Sequence, residues 1–200
     1  MKIAKKGTYG YRRWHQTRLM LSAVLLGGLM YYLFTLSLRV SKLPSTILTI
    51  GIVLSVVPLS LFVVMSFIAS RAKTPSAERY AYAKQFEDRG IMLYDCIFMT
   101  DKTGFPVDFM LITNGKCYVQ SCGDAKQQAE LKKYLDHYMT VDRIGFPIVL
   151  GYGDKGFFDS IENLPRFNID ALPKEQKEKV LKCRRTLLGL SFLGGRFEGI

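Results

Sequence analysis

A chain of 200 residues with 28 Lys and Arg against 17 Asp and Glu carries a formal charge of +11, a balance that first points to nucleic acid. Dividing the charge removes that argument: residues 1–75 hold ten of the cations and no acid, and residues 76–200 set 18 cations against 17 acids. The basicity belongs to the flanks of two apolar runs, and what remains is a near-neutral chain long enough for one modest soluble domain.

Residues 1–18 form a basic arm, with Tyr9, Tyr11 and Trp14 interleaved among Lys2, Lys5, Lys6, Arg12, Arg13 and Arg18. Aromatics and cations mixed in this way suit the headgroup region of an anionic leaflet, so the arm reads as an interfacial anchor with membrane lipids as its partner. Leu19–Leu38 then runs 20 residues and Ser45–Ser70 runs 26 without an ionisable group. A bilayer core needs roughly 20 helical residues, so each run is long enough to span it. Neither run shows the polar stripe of a soluble core helix. The first is too long for the apolar core of a cleavable signal and reads as a signal-anchor.

The chain is accordingly expected to place transmembrane helices at 19–38 and 45–70, joined by an outside turn at 39–44. The excess of Lys and Arg before the first span and after the second places both termini in the cytoplasm of a multi-pass cell (inner) membrane protein. Small residues at Ala23 and Gly27 and at Gly51 and Ser55 offer faces for helix packing or for an oligomer contact. Pro58 is expected to kink the second helix. With no ionisable residue inside either span, the hairpin reads as an anchor or docking surface rather than a transport path.

A linker at 71–75 leads into a cytoplasmic α/β domain at 76–200. Ser76 caps a helix carrying Tyr80, Ala83 and Phe86, which stops at Gly90. Ile91 to Thr100 reads as a strand ended by the turn Asp101-Lys-Thr-Gly. Val107–Ile112 and Lys116–Ser121 are strands about Thr113-Asn-Gly115. Asp124 caps a helix to about Met139, and Phe146–Leu150 is a short strand. Gly151–Gly156 lacks Walker A spacing and reads as a plain loop, followed by a short helix over 157–163. A small strand is expected at Phe167–Ile169, and Pro173 starts a basic helix reaching Leu190.

Cys96, Cys117, Cys122 and Cys183 all fall on the predicted cytoplasmic side, where thiols stay reduced, and their spacing does not make a zinc site. His137 lacks a nucleophile partner in the sequence.

The order helix, three strands, helix, strand, with the run Pro106-Val-Asp-Phe-Met-Leu-Ile-Thr-Asn-Gly-Lys-Cys-Tyr-Val-Gln-Ser-Cys122, resembles the core hairpin of the restriction-endonuclease-like, or PD-(D/E)xK, superfamily. It looks especially like the nuclease-related domain and the C-terminal domain of some bacterial ATPases. The resemblance covers about residues 76–150 and implies an αβββαβ fold. It also implies a site of Asp108, Gln120 and Cys122, where the Asp and the Gln would hold a divalent ion such as Mg²⁺. The departures are Cys122 in place of the activating lysine and Pro106 in place of an acid. Glu78 or Glu87 would have to supply a further metal ligand, Glu87 being the one taken into the expected set, and Lys116 or Lys126 a cation.

Two hairpin registers are open. A two-residue Asn114-Gly115 loop pairs Thr113 with Lys116 and sets Asp108 opposite Ser121. A three-residue loop sets Asp108 opposite Gln120 and keeps Gln120 off the apolar face, which favours it on burial grounds.

The expected protein is therefore a two-span membrane protein presenting a degenerate endonuclease-like domain, without cofactor, to a protein partner or a second copy of itself. The alternatives are a membrane-tethered Mg²⁺-dependent nuclease and an accessory subunit of a transport, secretion or conjugation complex. Nucleic acid is not the favoured partner.

Overall fold

A computed structural model describes residues 5–39, 42–71, 74–100 and 104–191, with side chains omitted at 42–45 and 68–71. The chain divides into two units, one of residues 13–73 and one that joins the N-terminal arm through Arg12 to residues 74–200. The expected turn at 101–103 and the tail at 192–200 lie outside the described residues, as does part of the expected outside turn.

The first unit is built on two helices, α1 (Tyr11–Ser37) and α2 (Lys42–Arg71). Both are long and apolar enough to cross a membrane, with mean hydropathy 1.9 and 2.7 over their most apolar 18-residue windows. Their apolar side chains are open to the surroundings, with Val24 71% and Leu54 69% exposed. In water this surface would be costly, at about 25 cal/mol for each Å² of apolar area. A Cβ built at Gly27 or Gly51 meets nothing within 4 Å, so neither glycine marks a close approach between the described parts of the two helices. Ser55 instead turns its hydroxyl back to the Gly51 carbonyl, 2.8 Å away.

The second unit is a small mixed α/β domain. Ser76 caps α3 (Ala77–Lys84) by accepting from Arg79 N, and a single 3₁₀ turn follows at Glu87–Arg89. The sheet contains β1 (Ile91–Met99), β2 (Gly104–Ile112), β3 (Cys117–Ser121) and β4 (Ile148–Tyr152), in the order β1-β2-β3-β4. The first three strands are antiparallel neighbours, and β4 runs parallel to β3 after a crossover through α4 (Ala125–Val141). Asp124 starts α4 with a full capping box on Gln127.

Helices cover both sheet faces. Leu131, Leu135 and Met139 of α4 and Val180, Cys183 and Leu187 of α6 (Lys174–Leu190) pack with Leu93, Val107, Met110 and Val119. On the other face Ala83 and Phe86 join Phe157, Phe158 and Ile161 of α5 (Gly153–Glu162) against Phe109, Leu111 and Tyr118.

Three expectations need correction. Ile112 pairs with Cys117 and Thr113 N donates to Lys116 O, so the hairpin uses the two-residue loop, and its register, paired as far as Met110 and Val119, is not the one that sets Asp108 opposite Gln120. The burial argument failed because Gln120 tolerates the apolar face: it is 1% exposed, and its side-chain carbonyl and amide are each hydrogen-bonded. The segment Gly151–Gly156 is not a plain loop, since α5 already starts at Gly153. The Cα of Phe157 would lie 2.3 Å from a Cβ at Gly151, so the glycine there permits close backbone approach. Phe167–Ile169 forms no strand; Phe167 N donates to Asp88 O, and a 3₁₀ turn occupies Ile169–Ala171.

Residues 6–12 of the basic arm also depart from the headgroup expectation, because they pack into the domain. The arm lies along β1, an edge strand whose free backbone groups need cover. Gly7 O accepts from Tyr94 N at 2.9 Å, and Lys6 Nζ donates to Ser191 O at 3.0 Å. Tyr9 stacks on Tyr80 with ring centroids 4.1 Å apart, and its hydroxyl donates to Pro75 O. Gly7 sits at φ +79°, where a Cβ would lie 2.8 Å from Leu188.

Candidate functional site: a guanidinium–carboxylate network

The site begins with an irregularity shared by β1 and β2. Side chains alternate along a regular strand, yet Leu93 and Cys96, three residues apart, enter the same core, as do Val107 and Met110. Asp95 reverses the alternation by adopting φ +56° in the middle of β1. Tyr94 pairs with Phe109 and Cys96 with Val107, which sets Asp95 opposite Asp108 at the break. Two facing carboxylates repel, and here they occupy a place with little water.

Arg12 resolves the conflict. Its side chain is 2% exposed, with Nη1 2.7 Å from Asp108 Oδ1 and Nε 3.8 Å from Asp95 Oδ1. Its Nη2 donates to Cys96 O at 2.6 Å and to Val107 O at 2.8 Å, so one guanidinium bonds the carbonyls of both strands where their ladder is interrupted. A planar fork with several fixed donors is suited to this; a lysine would bring a single point charge. The other Asp95 oxygen accepts from Gly10 N at 2.7 Å. Burial pushes the Asp95 carboxyl above its ordinary value, against the opposing pull of Arg12 and the Gly10 amide.

A second guanidinium closes the network from α3. Arg79 Nη2 lies 3.0 Å from Asp108 Oδ2, and Arg79 grips Asp154 with Nε and Nη2, each at 2.6 Å. The bidentate hydrogen bonds to Asp154, with the nearby Asp108 charge, raise the Arg79 pKa further against its partial burial. Gln120 ties the Asp108 backbone to the Asp154 carboxylate: its carbonyl accepts from Asp108 N at 3.2 Å and its amide donates to Asp154 Oδ1. Arg79 also rests over the Phe109 ring, 5.4 Å from its centroid. A pocket of about 410 Å³ between α3 and α5 opens beside Arg79 and Asp154, with Glu78, Tyr82 and Phe158 in its walls.

Asp108 and Gln120 are in contact, through the Asp108 backbone amide and not through the facing side chains of the expected register. Cys122 lies at the exposed margin, and its thiol is pushed up by burial and by the Asp108 and Asp154 charges. It remains a neutral thiol near pH 7 and supplies neither a cation nor a thiolate nucleophile. Glu87 does not join the set: it accepts from the Tyr94 hydroxyl at 2.7 Å. Glu78 lines the neighbouring pocket, and Lys116 lies at the hairpin turn. Among the described residues no three His, Cys, Asp or Glu side chains are grouped to hold a metal ion.

The sequence reading missed Arg12, Arg79, Asp95 and Asp154. Asp95 had left a signal, as the one charge in the apolar strand Ile-Met-Leu-Tyr-Asp-Cys-Ile-Phe-Met. Asp154 lay inside the glycine-rich segment, and Arg12 was hidden among other cations of the arm. Comparison with family models, curated proteins and solved structures returns no match to this chain.

Proposed function

We propose that this chain is a two-span membrane protein whose domain is a degenerate endonuclease-like fold, used for binding a protein partner or for assembly rather than for hydrolysis. The element order α-β-β-β-α-β with a parallel last pair supports that fold reading. One observation carries the functional reading: both oxygens of Asp108 face guanidinium groups, Arg12 at 2.7 Å and Arg79 at 3.0 Å. In an active enzyme of this resemblance those oxygens would meet a divalent cation. Arg12 is buried and tied to two backbone carbonyls, so yielding its place would strand those acceptors as well as two acids. The position suited to an activating lysine carries the neutral Cys122 thiol.

The test is incubation of the full chain, in detergent, with plasmid DNA and structured RNA in Mg²⁺ and Mn²⁺. No hydrolysis is expected; cleavage that disappears in Asp108→Asn would overturn the reading. The partner is sought by photo-crosslinking in native membranes from positions around the Arg79 pocket, where one recurrent product, either a hetero-complex or a homodimer, is expected.

The nuclease alternative keeps one supporting feature, the convergence of Asp108, Gln120 and Asp154 through Arg79. It requires the guanidiniums to leave, so Arg79→Ala would have to gain metal-dependent cleavage. Membrane placement with a cytoplasmic domain rests on the uncharged spans and their basic flanks. A membrane-impermeant maleimide should accordingly label Cys122 only after cells are opened.

A further inference from the structure

A second pocket, of about 310 Å³, lies at the turn end of the β2–β3 hairpin and takes no part in the Asp108 network. Its frame is held by hydrogen bonds on three sides. Thr113 N donates to Lys116 O across the Asn114-Gly115 turn, with Gly115 at φ +93°, and Asn114 Nδ2 donates to Gln176 Oε1 at 3.1 Å. Phe167 N donates to Asp88 O at 2.8 Å, which sets the segment after α5 as the facing wall. Arg89 is pinned between them by its Nη1 bond to Ile161 O at 3.0 Å.

Three cations line this pocket, Arg89, Lys116 and Arg166, and no acid does. Asp88 lies 3.3 Å from Arg166 Nε and 3.9 Å from Arg89 Nε, so one carboxylate is shared by two of the three cations. The Lys116 side chain is exposed, and its ammonium has no hydrogen-bond or ion-pair partner among the described residues. Tyr118 also lines the pocket; the residue is 7% exposed, and its hydroxyl has no hydrogen-bond partner among the described residues. Leu164, Pro165 and Phe167 give the remaining wall an apolar surface. Surplus positive charge, an available phenolic hydroxyl and an apolar wall together suit a compact anion with a hydrophobic body.

We propose that this pocket binds a phosphomonoester, its phosphate meeting Lys116, Arg166 and the Tyr118 hydroxyl and its organic group lying against Leu164 and Phe167. A dianion with several tetrahedral acceptors uses donors arriving from separate elements better than a flat carboxylate does. The proposal is independent of the Asp108 site and stands or falls without it.

The test uses the full chain in phosphatidylcholine nanodiscs, with phenyl phosphate titrated by calorimetry in a phosphate-free buffer at about 0.15 M salt. Saturable one-site binding is expected. The double variant Lys116→Gln/Arg166→Gln, both at exposed side chains, should weaken it about tenfold or more, and Tyr118→Phe by a smaller factor of about three. Lys132→Gln/Lys133→Gln removes the same charge from the exposed face of α4 and should leave binding unchanged. Absence of saturable binding would overturn the proposal, as would equal weakening in the α4 control, which would mark the interaction as unspecific attraction. Near-ultraviolet circular dichroism on each variant verifies that the fold is kept. Discs containing phosphatidic acid distinguish the source of the phosphate. Competition with phenyl phosphate there assigns the site to a lipid headgroup, and an unchanged affinity assigns it to a soluble ester.

Discussion

Replacing Arg12 by Met removes the charge while keeping much of the side-chain volume. The wild-type guanidinium neutralises Asp108 at 2.7 Å and Asp95 at 3.8 Å and satisfies the carbonyls of Cys96 and Val107. Without it, two carboxylates face one another in a place where Asp95 is 1% exposed. Breaking a buried ion pair by deleting one partner costs about 3–5 kcal/mol. At roughly 3 °C for each kcal/mol in a domain of this size, the melting temperature should fall by about 10–15 °C. The assay is thermal unfolding of the full chain in detergent, followed by near-ultraviolet circular dichroism. That signal draws on the Tyr9–Tyr80 stack and the packed Tyr94, whereas the far-ultraviolet signal is dominated by the long helices. If the cost is electrostatic, Arg12→Met/Asp108→Asn should recover part of the loss, a coupling read from the double-mutant cycle. A single variant melting within about 3 °C of wild type, equivalent to only about 1 kcal/mol, would refute the argument. A double variant melting as low as the single one would refute its electrostatic part.

Asp95 also predicts a pH dependence. Its folded pKa is raised above 3.8, so the unfolded chain loses this proton first, and ionisation lowers stability as pH rises from 3.8 through the folded value. Asp95→Asn removes that titration and keeps a residue tolerant of the left-handed backbone, so its stability relative to wild type should increase over the same window. A pH-independent difference between the two melting temperatures would contradict this. Among the four cysteines, native protein at about pH 8 should react with maleimide only at Cys122, and slowly, because its thiol is raised; Cys96 is buried and pushed up to about 11. Peptide mapping that found Cys96, Cys117 or Cys183 labelled before unfolding would show the core to be open. Gly151→Ala places a methyl group 2.3 Å from the Phe157 Cα and should cost about 1–3 kcal/mol in chemical denaturation, with a neutral result disproving the close β4–α5 contact.

Local sequence accounted for much of the framework. Two runs of apolar residues without a charge demand long helices wherever they sit, and Ser76, Asp124 and Pro173 begin α3, α4 and α6 because capping depends on neighbours a few positions away. That Asp108 and Gln120 lie on one hairpin was also legible. Its register was not, because the apolar-face rule takes no account of a glutamine whose amide is satisfied by Asp154, 34 residues away. The same limit hid the heart of the site. Arg12 reads as one more cation before a membrane span, and its burial 96 residues from Asp108 follows only from an edge strand that needs cover and two opposed acids that need a counter-charge. Arg79 and Asp154 meet because helices on one sheet face are brought together by packing. Periodicity and capping are properties of neighbours along the chain, whereas desolvation and charge pairing depend on which distant segments share a dry space, and that is decided by the tertiary fold.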